Sequence, residues 1–157
     1  MSNLNDFLIG KRVGNYKTVK YTTATSTSSV IPIDDTIPQN TEGLEIFSES
    51  FIPKNGNSDI LIILSISAQG GHVACIFKDA DADAIYSSVS DGFTGASQWL
   101  NNSFTYKEAS LNKTSRDYKV RIGPTSAGTT YINRNSDSAS RFGATTETTM
   151  TIIELLP

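Results

Sequence analysis

The most strongly apolar part of the chain is residues 58–79, where two apolar runs flank a Gln-Gly-Gly break. The first run, 60–66, is apolar at nearly every position, which predicts a central strand whose faces are both covered or half covered. In the second run, Val73, Cys75 and Phe77 alternate with His72, Ala74 and Ile76, which leaves one bulky apolar face. Two such runs around a glycine-rich break predict a long antiparallel hairpin on which the other strands are organised.

The rest of the chain alternates between short strand patterns and polar turns. Residues 118–122 place Tyr118, Val120 and Ile122 on one side and Lys119 and Arg121 on the other, as in a half-buried strand. Charged residues make up only 18% of the chain, and Thr, Ser, Asn and Gly fill the difference. About nine or ten short strands, with no helix between them, predict an all-β protein. The predicted fold is a jelly-roll-like antiparallel β-sandwich with an extended N-terminal arm.

Two prolines shape the segment that precedes the apolar runs. Pro32 and Pro38 remove backbone donors and hold their neighbours extended, so this segment should cross the outside of a sheet as an irregular strap. Asp34 and Asp35 lie within it. Adjacent carboxylates on an extended chain point to opposite sides, which favours a turn with side-chain hydrogen bonds over an acid/base pair. Asn55-Gly56 then predicts a turn into the hairpin.

We divide the chain into an anchoring arm, residues 1–20, and a β-sandwich domain, residues 21–157. The arm contains four clustered apolar residues, Leu4, Phe7, Leu8 and Ile9. A cluster that short cannot build its own core. It is either a strand that pads the sandwich edge or an arm that docks on another protein, and these four residues are our predicted partner-binding residues.

Charge and hydropathy exclude two classes of partner. The net charge is −3 and the basic residues are scattered, whereas nucleic-acid binding needs clustered Lys or Arg. Lys11 and Arg12 follow the first apolar residues, the reverse of a secretory signal. No apolar run approaches the roughly 20 residues that span a bilayer. We therefore expect no nucleic-acid partner and no membrane insertion, for a soluble protein made in a cytoplasm.

The residues that catalysis and metal binding require are also few. His72 is the single histidine and Cys75 the single cysteine, so neither a hydrolase triad nor a zinc site is predicted. Cys75 lies in an apolar strand, as a buried small hydrophobe would. Gly70-Gly71 lacks the Lys and helix of a phosphate-binding loop. A pair of carboxylates across a groove stays open for glycoside hydrolysis, but no pattern singles one out.

The acidic run at 79–83 suggests calcium at first sight. An EF-hand loop needs glycine at its sixth position and glutamate at its twelfth, and here these positions are Ala84 and Ser90. An exposed, solvated acidic loop is the better interpretation. We predict no catalytic, cofactor-binding or metal-binding residues, and no enzymatic activity.

Three segments carry a resemblance to a known family: VIPIDDTIPQNTEG at 30–43, YKVRIGPTSAGTTYINR at 118–134 and RFGATTETTMTIIELLP at 141–157. They resemble a β-rich domain of virion proteins of tailed bacteriophages, found at tail-fibre tips and in small structural proteins of the particle surface. The most specific part is I-P-x-D-D-T-x-P-Q-x-x-E-G at 31–43. The resemblance implies a trimeric, non-catalytic β-sandwich exposed on the virion.

In that family a fibre shaft usually precedes the domain, and here only about twenty residues lie upstream. We therefore expect a homotrimeric capsid decoration or cement protein, assembled in the host cytoplasm and located on the virion surface. Its partners would be the major capsid protein or tail components. The alternative is a receptor-binding tail-fibre or tail-tip domain that recognises a host-surface glycan through loops bearing Trp99, Tyr106 or Tyr131.

Overall fold

The computed structural model describes residues 12–91, 99–137 and 142–157. These residues form ten β-strands and one short 3₁₀ turn, Phe142–Ala144. The strands are β1 (Val13–Tyr21), β2 (Thr25–Thr27), β3 (Leu44–Phe51), β4 (Asp59–Gln69), β5 (His72–Lys78), β6 (Tyr86–Ser90), β7 (Trp99–Ala109), β8 (Arg116–Gly123), β9 (Thr130–Ile132) and β10 (Thr148–Leu155).

The strands build two antiparallel sheets that pack face to face. The first sheet contains β1, β10, β4 and β7 side by side, and the short β9 and β2 continue from the end of β4. The second sheet has the order β3-β8-β5-β6. The long strands pair in a nested way, β1 with β10, β3 with β8, β4 with β7 and β5 with β6. This is the pairing of a long hairpin rolled into a jelly roll, so the predicted fold class is confirmed.

The predicted hairpin at the Gln-Gly-Gly break is wrong. β4 and β5 lie in different sheets, since β4 pairs with β10, β7 and β9 while β5 pairs with β6 and β8. Gly70, at a φ of 90°, turns the chain from one sheet to the other in a conformation that glycine adopts easily. Asn55-Gly56 likewise joins β3 to β4 across the sandwich. The hairpin of this region is β5–β6, with its turn in the acidic loop.

The main core lies between the sheets and is built chiefly by alternate residues of five strands. Its fully buried members include Ile60, Ile62, Leu64, Ala74, Ile76, Tyr118, Val120, Ile122, Met150 and Ile152. Each large apolar side chain contributes about 1.5 to 3 kcal/mol when removed from water. β4 is central, as predicted, but its outward face is only partly covered: Leu61 is half-buried and Ile63 exposed.

The strap is confirmed, and it covers the outer face of the second sheet. Ile31 is fully buried against Val73, Cys75 and Phe77. The backbone nitrogen of Ile31 donates to the carbonyl of Pro124 at 3.0 Å. Farther along, the backbone nitrogen of Ala84 donates to the carbonyl of Pro38 at 2.9 Å and that of Asn40 to the carbonyl of Ala82 at 2.8 Å. Both faces of β5 are therefore buried.

The predicted turn at Asp34 is also confirmed. The backbone nitrogen of Thr36 donates to Asp34 Oδ1 at 2.9 Å. Its hydroxyl donates to the same oxygen. These two hydrogen bonds lower the pKa of Asp34, the side-chain bond more than the backbone one.

The sandwich begins earlier in the chain than the boundary between residues 20 and 21. β1 starts at Val13 and pairs with β10 as far as Tyr21, so residues 13–20 form an edge strand of the first sheet rather than part of an arm. The pairing was missed because its partner strand lies at the far end of the sequence. The predicted partner-binding residues Leu4, Phe7, Leu8 and Ile9 lie outside the described residues.

Candidate interaction surface

The outer face of the first sheet brings apolar side chains of three strands together. Directly opposite residues of antiparallel neighbours project to the same side. Tyr16 lies opposite Ile153, and Ile153 lies opposite Leu61. Because the even-numbered residues of β4 from 60 to 68 fill the core, Leu61 and Ile63 project outward. The sheet therefore aligns residues that are far apart in sequence into one row.

We call this surface the apolar end of the face. It consists of Val13, Tyr16, Leu61, Ile63, Ile153 and Leu155. Tyr16 is 70% exposed, Val13 57% and Ile63 38%, while the other three are half-buried. Single exposed apolar residues are common on soluble proteins, whereas a contiguous group marks an interaction surface.

Paired charges border the apolar end. Lys107 lies opposite Leu61 and its ammonium group is 3.2 Å from Asp59 Oδ2. Farther along β1, Lys20 lies 2.8 Å from Glu147. Such exposed pairs contribute little to stability, but they leave an apolar centre with a polar rim. That composition is typical of protein–protein interfaces.

The three aromatic residues predicted for glycan binding do not form one platform. Trp99 and Tyr131 both lie opposite Gln69 on neighbouring strands, at the other end of the outer face. The guanidinium carbon of Arg134 lies 5.4 Å from the centre of the Tyr131 ring. Tyr106 points to the inner side of β7, where its ring centre is 5.7 Å from that of Tyr86. Tyr106 is therefore separated from the other two.

His72 and Cys75 cannot act together although they are close in sequence. His72 lies on the same side of β5 as Ala74 and Ile76, which face the main core, whereas Cys75 lies under the strap with Ile31. The Nδ1 atom of His72 is 3.0 Å from the Gly70 carbonyl. Its buried Nε2 atom has no hydrogen-bond partner within the described residues. The geometry excludes a nucleophile and base pair on this strand.

Burial shifts both groups toward their neutral forms. Burial lowers the pKa of His72, and the hydrogen bond with the Gly70 carbonyl only partly opposes it. Burial raises the pKa of the Cys75 thiol to about 11 against the opposing hydrogen bond of Ser87. The thiol is therefore protonated at neutral pH. This confirms Cys75 as a buried small hydrophobe.

One carboxylate connects the two sheets. Glu108 of β7 accepts hydrogen bonds from the Tyr118 hydroxyl of β8 and, at 2.9 Å, from the ammonium group of Lys78 at the end of β5. Burial, and after it the hydrogen bond to Glu108, raises the pKa of Tyr118. The same carboxylate raises the pKa of Lys78. Both carboxylate oxygens are occupied in holding the sandwich together.

A second buried carboxylate was missed by the sequence analysis. Glu154 is fully buried within β10. Its carboxylate accepts hydrogen bonds from the backbone nitrogens of Lys54 and Asn55, at 3.0 and 2.7 Å. The Ser58 hydroxyl donates to it at 2.9 Å. Burial opposes ionisation, but these hydrogen bonds and the charge of Lys54 together lower the pKa of Glu154. The sequence signal was an acidic residue inside an otherwise apolar run.

The acidic loop is exposed, as predicted, and its carboxylates bind the protein's own backbone and side chains. Asp79 Oδ1 accepts a hydrogen bond from the backbone nitrogen of Asp117 at 2.8 Å. Asp83 Oδ1 accepts one from the side-chain amide of Gln39, also at 2.8 Å. Within residues 12–91, 99–137 and 142–157, no three His, Cys, Asp or Glu side chains are grouped to hold a metal ion. In the same residues, no helix is long and apolar enough to cross a membrane.

Comparison with known proteins does not assign the chain to a family. No protein-family model matches it, and no curated protein matches it. Among solved structures it is similar to infectious bursal disease virus Gt strain, at 10% identity and a TM-score of 0.45, covering 93% of this chain and 38% of that chain. It is similar to the T13 particle of the same virus at 10% identity and a TM-score of 0.41, covering 90% and 37%.

A further match is the VP2 subviral particle of infectious bursal disease virus, at 9% identity and a TM-score of 0.38. It covers 90% of this chain and 39% of that chain. The chain thus spans about two fifths of the length of the viral chains that it matches. These matches are too distant to assign a function, and the all-β sandwich rests on the strand pairing described above.

Proposed function

We propose that the protein is a non-enzymatic structural protein of a tailed-phage particle: a homotrimeric capsid decoration or cement protein on the particle surface. The observation that carries this proposal is the apolar end of the outer face. It offers a contiguous apolar surface with a polar rim, which is suited to a permanent protein partner. Leu4, Phe7, Leu8 and Ile9 supply the second apolar element.

Two of the three segments that carry the resemblance pack against each other. The strap, which contains the most specific segment, contacts the end of β8, which belongs to the second segment. The Ile31 nitrogen donates to the Pro124 carbonyl, and a Cβ atom on Gly123 would lie only 2.3 Å from the Ser29 carbonyl oxygen. The strap and the end of β8 therefore form one packed unit.

Two measurements test the proposal. Light scattering on the isolated protein should give about three chains per particle, and subunit counting on purified virions should give hundreds of copies rather than a few dozen. A monodisperse monomer at micromolar concentration contradicts the trimer. A low copy number contradicts decoration.

The anchoring role of the arm is tested by a deletion that ends before β1 begins. Removal of residues 2–11 keeps every described strand, so each truncated chain should still fold, with a cooperative thermal transition. The truncated protein should no longer attach to undecorated particles, because attachment of a trimer at three points gains strength from multivalency, and that gain is lost without the arms. Attachment at full occupancy without the arm would move the anchor to the sandwich itself.

The alternative, a tail-fibre or tail-tip domain that recognises a host glycan, has less support in the geometry. Tyr106 faces inward, away from Trp99 and Tyr131, so the three aromatic residues do not share one face of the sheet. Binding on a glycan array that is lost in Trp99→Ala, together with a low copy number, would favour this alternative over decoration.

A further inference from the structure

We infer that the apolar end of the outer face is the docking site for residues 4–9 of a neighbouring copy of the same chain. Residues 4–9, which carry Leu4, Phe7, Leu8 and Ile9, are called the apolar arm segment below. The inference rests on the proposed homotrimer and specifies which surface and which segment hold it together.

The first support is the position at which the arm joins the sheet. The Leu156 nitrogen donates to the Arg12 carbonyl at 2.7 Å, so the ladder of β1 and β10 continues to Arg12. Val13 and Leu155 are opposite each other in the same ladder and belong to the apolar end. The arm therefore starts at a corner of the apolar end in every copy.

The second support concerns which copy the arm can cover. Between Ile9 and Arg12 lie only Gly10 and Lys11. A reversal of the chain over these two residues would form a hairpin, and a hairpin places the returning segment beside the strand that it leaves. That position is the edge of β1 and not the face of the sheet. Ile63 lies on β4, two strands or roughly 10 Å from β1. A wider turn would have to include Ile9 and Leu8, which could then not contact the face of their own chain. We therefore place the segment on the face of a neighbouring copy.

The third support is chemical match. The apolar arm segment has four large apolar side chains and one charge, Asp6. The apolar end has six apolar side chains, and at its border stands Lys107, next to Leu61. An arm on the face of the next copy is a head-to-tail contact, which closes into a ring when the rotation that relates the copies closes. The same contact made three times accounts for a trimer without a two-fold interface.

Disulfide formation between two single variants tests the contact directly. Chains carrying Phe7→Cys are mixed and refolded with differently tagged chains carrying Ile63→Cys, both in a Cys75→Ala background, and then oxidised. A covalent product of the two tags is expected. Val89→Cys is the matched control, because Val89 is 53% exposed but lies on β6 of the other sheet; it should give at least tenfold less product.

The outcomes separate this inference from the proposed function. A trimer by light scattering without the mixed disulfide overturns the docking site and leaves the trimer standing. A monomer without the disulfide overturns both. A Phe7→Cys, Ile63→Cys double variant that closes a disulfide within one chain shows that the arm covers its own face, which also overturns the inference.

Surface substitutions provide an independent readout. Ile63→Asp should weaken association of the trimer at least tenfold, since a buried carboxylate replaces an apolar contact. Thr105→Asp is the matched control, because Thr105 lies opposite Ile63 on the same face but outside the apolar end, and it should change association less than threefold. If Ile63→Asp does not fold, Tyr16→Ser serves instead, as Tyr16 is the most exposed member. Unchanged association in both variants overturns the inference.

Discussion

The hydroxyl of Tyr118 on β8 donates a hydrogen bond to Glu108 on β7, and this bond connects the two sheets. Tyr118 is fully buried, so its hydroxyl cannot turn to water when the partner is lost. The carboxylate also balances the charge of Lys78.

Tyr118→Phe should therefore lower the free energy of unfolding by about 1 to 3 kcal/mol, the range for a buried hydrogen bond to a charged group. Urea denaturation measures the change. Tyr16→Phe removes a hydroxyl from an exposed residue and should change the free energy by less than about 0.5 kcal/mol. Equal effects of the two substitutions would contradict a structural role for the Tyr118–Glu108 bond.

Glu154 should give the protein an acid-sensitive stability. Its pKa is lowered in the folded protein from an ordinary value of 4.5. A lowered carboxyl pKa stabilises the fold above the unfolded value, and the contribution is lost as pH falls through the folded value. Glu154→Gln should therefore lower stability at pH 7 and flatten its decline below pH 4.5, as measured by urea denaturation across pH 3–7.

Glu147→Gln serves as the control for that series. Glu147 pairs with Lys20 at the surface, and such pairs contribute about 0 to 1 kcal/mol. Its variant should keep the wild-type slope below pH 4.5. A wild-type slope in Glu154→Gln would show that another carboxyl is responsible.

His72 should produce a second, separate pH dependence. Burial lowers its pKa from an ordinary 6.5, so between that value and the folded pKa the unfolded chain binds a proton that the folded chain does not. Stability therefore falls as pH drops below 6.5. Because His72 is the only histidine, His72→Gln should remove the difference in stability between pH 7.5 and pH 5.5.

The same variant tests for hidden chemistry. His72→Gln should leave particle assembly and infectivity unchanged at neutral pH. A large loss of infectivity with the melting temperature preserved would point to a catalytic or binding role for the imidazole.

Gly123 should not tolerate a side chain, because the strap passes directly over it. An added Cβ atom would lie 2.3 Å from the Ser29 carbonyl oxygen and 3.2 Å from the Gly43 Cα atom. Gly123→Ala should cost about 1 to 3 kcal/mol through overpacking, as measured by thermal and urea denaturation. Gly128→Ala is the matched control: its nearest atom is 3.8 Å away, so its effect should stay within about 0.5 kcal/mol.

The sequence predicted what depends on local pattern. Alternation located β8, the prolines located the strap, and short range hydrogen bonding located the turn at Asp34. The predicted hairpin at the Gln-Gly-Gly break was wrong. A glycine turn between two apolar strands has the same sequence pattern whether the strands pair in one sheet or face each other across a core. The neighbours of β4 are decided by residues of β7 and β10, and no local feature of residues 58–79 encodes them.

The candidate interaction surface was beyond local pattern for the same reason. Ile63 and Ile153 lie in apolar runs of which the other members fill the core, Tyr16 lies in a polar segment, and the three meet only through the registers of β1, β10 and β4. Glu154 was overlooked because its partners, the backbone nitrogens of Lys54 and Asn55, come from a distant turn. The sequence predicted a partner-binding element in the arm alone, and that prediction lies outside the described residues.

The nested strand pairing has a kinetic consequence. β4 pairs with β10 on one side and with β7 on the other, and β10 is also the strand that pairs with β1 among the described residues. During synthesis the first sheet therefore keeps an open edge along its most apolar strand until β10 has left the ribosome. Pairings this distant in sequence form slowly, and an unpaired apolar edge is a site for association with other chains. Once β10 has paired with β4, this apolar edge is no longer open to other chains.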